Sequence, residues 1–420
     1  MKEHVRASAV YRGRVSTELG ILLLFSVATA VAIATTRLKI PYTVALVVVG
    51  AGLGVARLSS PIHLTKDLLY AVFLPGLIFE AAYNLTLSEL RQNLRAVFAL
   101  AVPGVLVAMA ATAAMLVFST NAIASTPNIG WSHALVFSAL IAATDPIAVV
   151  AMFKSLGAPR RLAVLVEGES LINDGTGAVL YAIVLGAVTG QKSGGVTQGI
   201  LEFVVVVGAG VFVGALTGYL ASQLRRRATD PMIEIALTTL AAYGSFALAE
   251  RFHVSGIIAT VTAGLVCRAL ARQEPSAAGG EAQSSEAATV AVESYWNYVA
   301  FALNSFVFLL IGLEVRLGSI ASAWRTILLA FVAVTLGRAL VVFMVAALLR
   351  RTTERITWRE SAVLTWGGLR GALSMVLALA IPDSFPEREL IVTTTFGVVA
   401  LSIVLQGLTA GPLLRRLRVV

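Results

Sequence analysis

Cysteine is almost missing. Cys267 is the only one in 420 residues, so no intrachain disulfide can form and no cysteine-based metal site can be built. Histidine is scarce too: His4, His63, His133 and His253 show no ligand spacing, which leaves zinc chemistry without support. Charge is the third shortage. Only 13% of the chain is Asp, Glu, Lys or Arg, against about 25% in an average soluble protein. So little charge could not cover the surface of a water-soluble body of this length. Despite a net charge of +9, no basic tail or soluble domain exists to host nucleic acid, which is excluded as a partner.

What is present is apolar: 58% of residues, gathered in long runs such as ILLLFSVATAVAIATT at 21–36 and LEFVVVVGAGVFVGALTGYLA at 201–221. About 20 residues of helix cross a hydrocarbon core of roughly 30 Å. The pattern predicts an all-α polytopic membrane protein with about 13 transmembrane helices between 17 and 414, including spans five (132–153) and twelve (360–380). Residues 1–16 form a basic extramembrane segment. No small-residue cleavage site follows the apolar run after it, so 17–36 reads as a retained span. The Ala/Ser/Glu/Gly stretch 271–294 predicts a flexible cytoplasmic loop. Even-numbered loops and the N-terminus hold 11 Lys and Arg, odd-numbered loops and the C-terminus 19. The positive-inside rule then puts the C-terminus in the cytoplasm and the N-terminus outside, although the basic first residues argue the other way. Only Arg415, Arg416 and Arg418 are charged after the last span, so no cytoplasmic regulatory domain is expected.

The informative charges lie inside the spans: Glu80, Asp145, Glu169, Asp174, Arg338 and Arg370, with Glu167 near a span end. Each costs about 2.5–3.5 kcal/mol at the bilayer centre unless it pairs or faces water. Four acids against two bases leave carboxylates free to hold a proton or a cation. In EGESLINDGTG, 167–177, Ser170 and Asp174 stand four apart, as do Glu169 and Asn173. A hydroxyl, an amide and a carboxylate within one turn are hard ligands for a small dehydrated cation. Thr144-Asp145-Pro146 sits in the middle of span five, where proline removes a helical hydrogen bond. Gly367, Gly368 and Gly371 bracket Arg370 in span twelve. Two interrupted spans seven apart predict inverted repeats whose broken helices cross at a midplane site, with Asp145 and Arg370 offsetting the helix dipoles.

Five segments carry a family resemblance: FLPGLIFEAAYN (73–84), ATDPIAVV (143–150), EGESLINDGTG (167–177), FVFLLIGLEV (306–315) and WGGLRGALS (366–374). In this order they resemble the monovalent cation/proton antiporters, specifically the NhaP-like branch that includes the animal sodium/proton exchangers. The resemblance covers about 17–414. It implies a multi-pass homodimer in the lipid of a plasma membrane (a bacterial inner membrane), without cofactors, exchanging Na+ or Li+ for H+ by elevator-like alternating access. Core spans would lie near 67–190 and 295–414, dimerisation spans near 17–57 and 199–271. Asp174 would bind cation or proton, with Asp145, Thr144 and Ser170 completing the Na+ site and Glu80 contributing from span three. Asn173, where electrogenic relatives carry a second aspartate, implies an electroneutral one-for-one exchange. Glu169 would pair with Arg338 as a structural bridge, and Arg370 would serve the helix crossing.

Three other readings compete with this one. Some relatives prefer potassium, which makes K+/H+ exchange the runner-up. A cation channel would need neither two inverted broken helices nor an excess of protonatable groups. An intramembrane hydrolase built on Ser170 and Asp174 lacks a histidine at membrane depth beside them.

Overall fold

The computed structural model describes residues 2–38, 40–56, 68–123, 126–127, 129–190, 195–227, 230–271 and 281–419. Helices dominate them, in the order α1 (Lys2–Leu38), α2 (Tyr42–Val55), α3 (Leu69–Asn84), α4 (Leu87–Gln92), α5 (Leu94–Ala122), α6 (Trp131–Leu140), α7 (Ile147–Leu156) and α8 (Arg160–Val188). There follow α9 (Val196–Arg225), α10 (Pro231–Arg251), α11 (Gly256–Ala271), α12 (Glu281–Glu314), α13 (Leu317–Ser322), α14 (Trp324–Leu349), α15 (Trp358–Trp366), α16 (Ala372–Leu379) and α17 (Arg388–Arg416). Among the described residues, eight helices are long and apolar enough to cross a membrane. Helix α1 runs through the basic first residues without a break, and its candidate span begins at Leu19.

The helices sort by packing into two groups. In one, α1, α2, α3, α9, α10, α11 and α12 pack mainly on each other; in the other, α5 to α8 pack with α14 to α17. Small residues make the first group tight. Gly210, Gly214 and Gly218, spaced four apart on α9, face the backbone carbonyls of Ser255, Ala259 and Ala263, leaving no room there for a side chain. Helices α3 and α12 pack chiefly with the first group. These two helices stand at the seam.

The loop expected over 271–294 is corrected for its second half. Residues 281–294 are helical and run straight into the span that follows, while 272–280 lie outside the described residues. Ala288, Val292 and Trp296 recur every four residues on one buried face. Trp296 packs against Phe79, with ring centroids 4.7 Å apart, and its indole N–H donates to Thr238 Oγ1 at 3.1 Å. Glu293 pairs with Arg268 of α11. The helical stripe and the helix-forming Ala and Glu outweigh the polar composition.

Candidate functional site

The two interrupted spans are broken where proline and glycine break them. Helix α6 stops at Leu140 and α7 starts at Ile147; α15 stops at Trp366 and α16 starts at Ala372. Pro146 has no N–H to continue a helix, and Asp145 Oδ1 instead accepts from Ile147 N–H at 3.0 Å, capping α7. The unwound segments meet in an isolated antiparallel bridge, in which Asp145 N–H donates to the Leu369 carbonyl at 2.8 Å. This crossing requires Gly371, because a Cβ there would fall on the Asp145 carboxyl group.

Charges match the half-helix ends. Arg370 Nη1 donates to the carbonyls of Ile141, Ala142 and Ala143 at 2.7, 2.8 and 3.1 Å, meeting the negative end of α6. Arg338 serves α15, its Nε donating to the Leu364 carbonyl at 3.0 Å. Its Nη1 and Nη2 grip Glu169 Oε1 and Oε2 at 2.7 and 3.0 Å, a bidentate buried pair. Asp145 lies where α7 and α16 begin, at two positive ends. A π-turn in α17, Ser402–Gln406, supplies the Ser402 hydroxyl that accepts from Arg370 N–H at 3.1 Å.

Beside the crossing lies a cavity of about 100 Å³. Glu80 enters from α3, Thr144 and Asp145 from the first break, Ser170 and Asp174 from α8. Its lining therefore draws on both packing groups, Glu80 from one and Asp174 from the other. Glu80 Oε1 accepts from Asn84 Nδ2 at 2.6 Å, and Asn84 in turn donates to Asn297 of α12 at 3.1 Å. The wall carries carboxylate and hydroxyl oxygens and no sulfur or imidazole, a donor set for a hard cation or a proton.

One expected ligand faces elsewhere. Asn173 does not line this cavity; it lines a second one with Glu169, Arg338 and Arg370. Successive helical residues turn by about 100°, so Ser170 and Asp174 share one face while Glu169 and Asn173 share the next. Asn173 acts on the backbone of the break instead. Its Nδ2 donates to Thr144 Oγ1 at 2.8 Å and its Oδ1 accepts from Thr144 N–H at 3.3 Å, while the Ser170 hydroxyl donates to the Thr144 carbonyl. Three polar lining residues stand outside the expected site: Glu167, Asn304 and Ser374. Glu167 could have been found, since it stands three before Ser170 and seven before Asp174 on the same face. Asn304 and Ser374 stand in otherwise apolar runs and carry no such signal.

A family profile described as "Sodium/hydrogen exchanger, transmembrane" matches residues 21–416. The chain is 35% identical over 392 residues to the Na(+)/H(+) antiporter ApNhaP of Aphanothece halophytica, covering 93% of this chain and 72% of that one. It is 38% identical over 362 residues to the Na(+)/H(+) antiporter NhaP of Pseudomonas aeruginosa, covering 84% and 81%. The sodium proton antiporter MjNhaP1 from Methanocaldococcus jannaschii shares the fold, with a TM-score of 0.76, 19% identity, and coverage of 97% of this chain and 99% of that one.

Proposed function

Since the chain belongs to the sodium/hydrogen exchanger family, whose members are transporters and not enzymes, we propose that it exchanges Na+ for H+ across a membrane. The observation that carries this is the cavity at the helix crossing, where Asp145 and Asp174 face the same space. Among the described residues no donor engages the Asp174 carboxylate, so its charge is left to a mobile partner. A bare carboxylate inside a bilayer is unfavourable, and either a proton or a dehydrated Na+ relieves it. The two therefore compete for one site. If only the loaded site moves cheaply, the two gradients are coupled.

The finer reading follows from where the groups sit. In it Asp174, Asp145, Thr144 and Ser170 hold Na+ or Li+, with Glu80 contributing from α3. With an amide at position 173, bonded to Thr144, no second carboxylate stands next to Asp174 in the chain, which favours a one-for-one, electroneutral cycle. The cavity lies at the seam between packing groups, as an elevator-like displacement of one group past the other would need. Thirteen spans in two inverted repeats, with the N-terminus outside and the C-terminus in the cytoplasm of a bacterial inner membrane, accommodate both crossed breaks. Helix α9 leaves Leu201, Val204, Phe212 and Leu216 exposed for lipid or for the partner of a homodimer.

The test is reconstitution into liposomes with an imposed pH gradient, adding Na+, Li+ and K+ in turn, with and without a potential clamp. Dissipation by Na+ and Li+, unaltered by the clamp and absent from Asp174→Asn, is the expected result. Equal dissipation by Asp174→Asn defeats the site assignment, clamp dependence defeats electroneutrality, and a response to K+ alone replaces the ion.

A further inference from the structure

Serine and threonine in apolar helices normally spend their hydroxyl on the carbonyl three or four residues back. This chain does so repeatedly: Ser222 donates to Gly218 at 2.7 Å, Thr335 to Phe331 at 2.8 Å and Thr395 to Ile391 at 2.7 Å. Ser374 does not. It stands at the third position of α16, so the residues three and four before it are Gly371 and Arg370, in the extended segment of the second break. The helix break takes away the carbonyl its hydroxyl would have used. Ser374 is fully buried, and among the described residues its Oγ has no hydrogen-bond partner.

An unpaired buried hydroxyl is unfavourable and calls for a ligand that completes it. The place says which. Ser374 lines the cavity that holds Asp145, Asp174, Ser170 and Glu80. The other lining residues from the second break and α16 are Gly371, Ala372 and Leu373, which offer no side-chain oxygen. A cation that sheds its water needs oxygens on several sides. Without Ser374, every side-chain oxygen around this space comes from α3, the first break, α8 and α12.

We propose that Ser374 is a further oxygen ligand for the transported monovalent cation, supplied by the second broken helix; this rests on the exchange reading above. The hydroxyl stays unspent in the helix so that its lone pairs can turn to the ion. Ser374 then sets affinity and ion preference rather than the capacity to exchange.

Wild type, Ser374→Ala, Ser374→Cys and Ser374→Thr are compared in proteoliposomes for half-saturating Na+ and Li+, and in detergent for the rise in melting temperature with Na+. Removing one ligand of this kind should raise half-saturating Na+ about fivefold in the Ala and Cys variants. Maximal rate should hold, Thr should restore binding, and the thermal titration should shift by the same factor. Without Na+, Ser374→Ala should melt no lower than wild type, because an unpaired hydroxyl has been removed. Wild-type half-saturation for both ions in both the Ala and Cys variants overturns the proposal. Absence of exchange and of any cation-dependent melting shift in the wild type instead overturns the exchange reading itself.

Discussion

The first break, residues 141–146, and the second, 367–371, interrupt two apolar helices at one crossing, yet they are made from opposite materials. Thr144, Asp145 and Pro146 break the first, a proline beside two polar side chains, and all three line the cavity. Three glycines and an arginine break the second. Its glycines give room, and Arg370 turns away to the carbonyls that end α6. On the exchange reading one break would therefore carry the chemistry, while the other gives the clearance and the charge compensation. Equal architecture on the two sides does not mean equal duty.

Substitutions can pull that division apart. The largest effect should come from the compensating side. Arg338→Ala leaves Glu169 buried without its bidentate partner and the α15 carbonyl unmet, a loss of about 3–5 kcal/mol. Thermal melting and membrane yield should both fall, and Glu169→Ala added to Arg338→Ala should recover part of the loss. Normal melting of the single variant removes the bridge from the stability of the fold. Asp145→Asn comes next and should show the reverse profile. Asparagine still caps α7, so melting should barely change, whereas Na+-driven exchange should drop at least about 100-fold, roughly 2.7 kcal/mol in rate terms. Retained exchange would move the chemistry out of the first break. Gly371→Ala should have the smallest effect of the three. Its Cβ meets Asp145, forcing the two breaks apart at a cost of about 1–3 kcal/mol in melting stability, with exchange impaired in proportion. If Gly371→Ala behaves like Gly52→Ala, whose added Cβ meets nothing within 4 Å, the close crossing is not needed.

Much of this was legible in the chain because the bilayer is a strict solvent. It forces apolar runs to be helices, so the spans show in the sequence, and it makes Pro146, Gly367 and Gly371 visible as interruptions. The Glu169 and Arg338 pairing geometry also lies where motif resemblance directed it. What the chain does not display is direction. Nothing in the spacing of Ser170, Asn173 and Asp174 tells which face of α8 turns to which cavity, and Asn173 lines the second one. Residues 281–294 misled for a different reason: their composition is that of a linker, while the buried positions 288, 292 and 296 are a helical pattern. The approach of Gly210, Gly214 and Gly218 to α11 depends on a partner helix that lies later in the chain. The free hydroxyl of Ser374 becomes apparent only once the start of α16 is known.

The single hydrogen bond from Asp145 N–H to the Leu369 carbonyl has a mechanical meaning. It rivets together two segments that enter from opposite ends of the sequence, and Arg370 clamps the joint from behind. Four half-helices thus radiate from one fixed knot. An arm that swings alone must break this bond, so on the exchange reading a cargo held beside it would travel with the whole cross. In the proposed cycle the moving part and the binding part would be one casting.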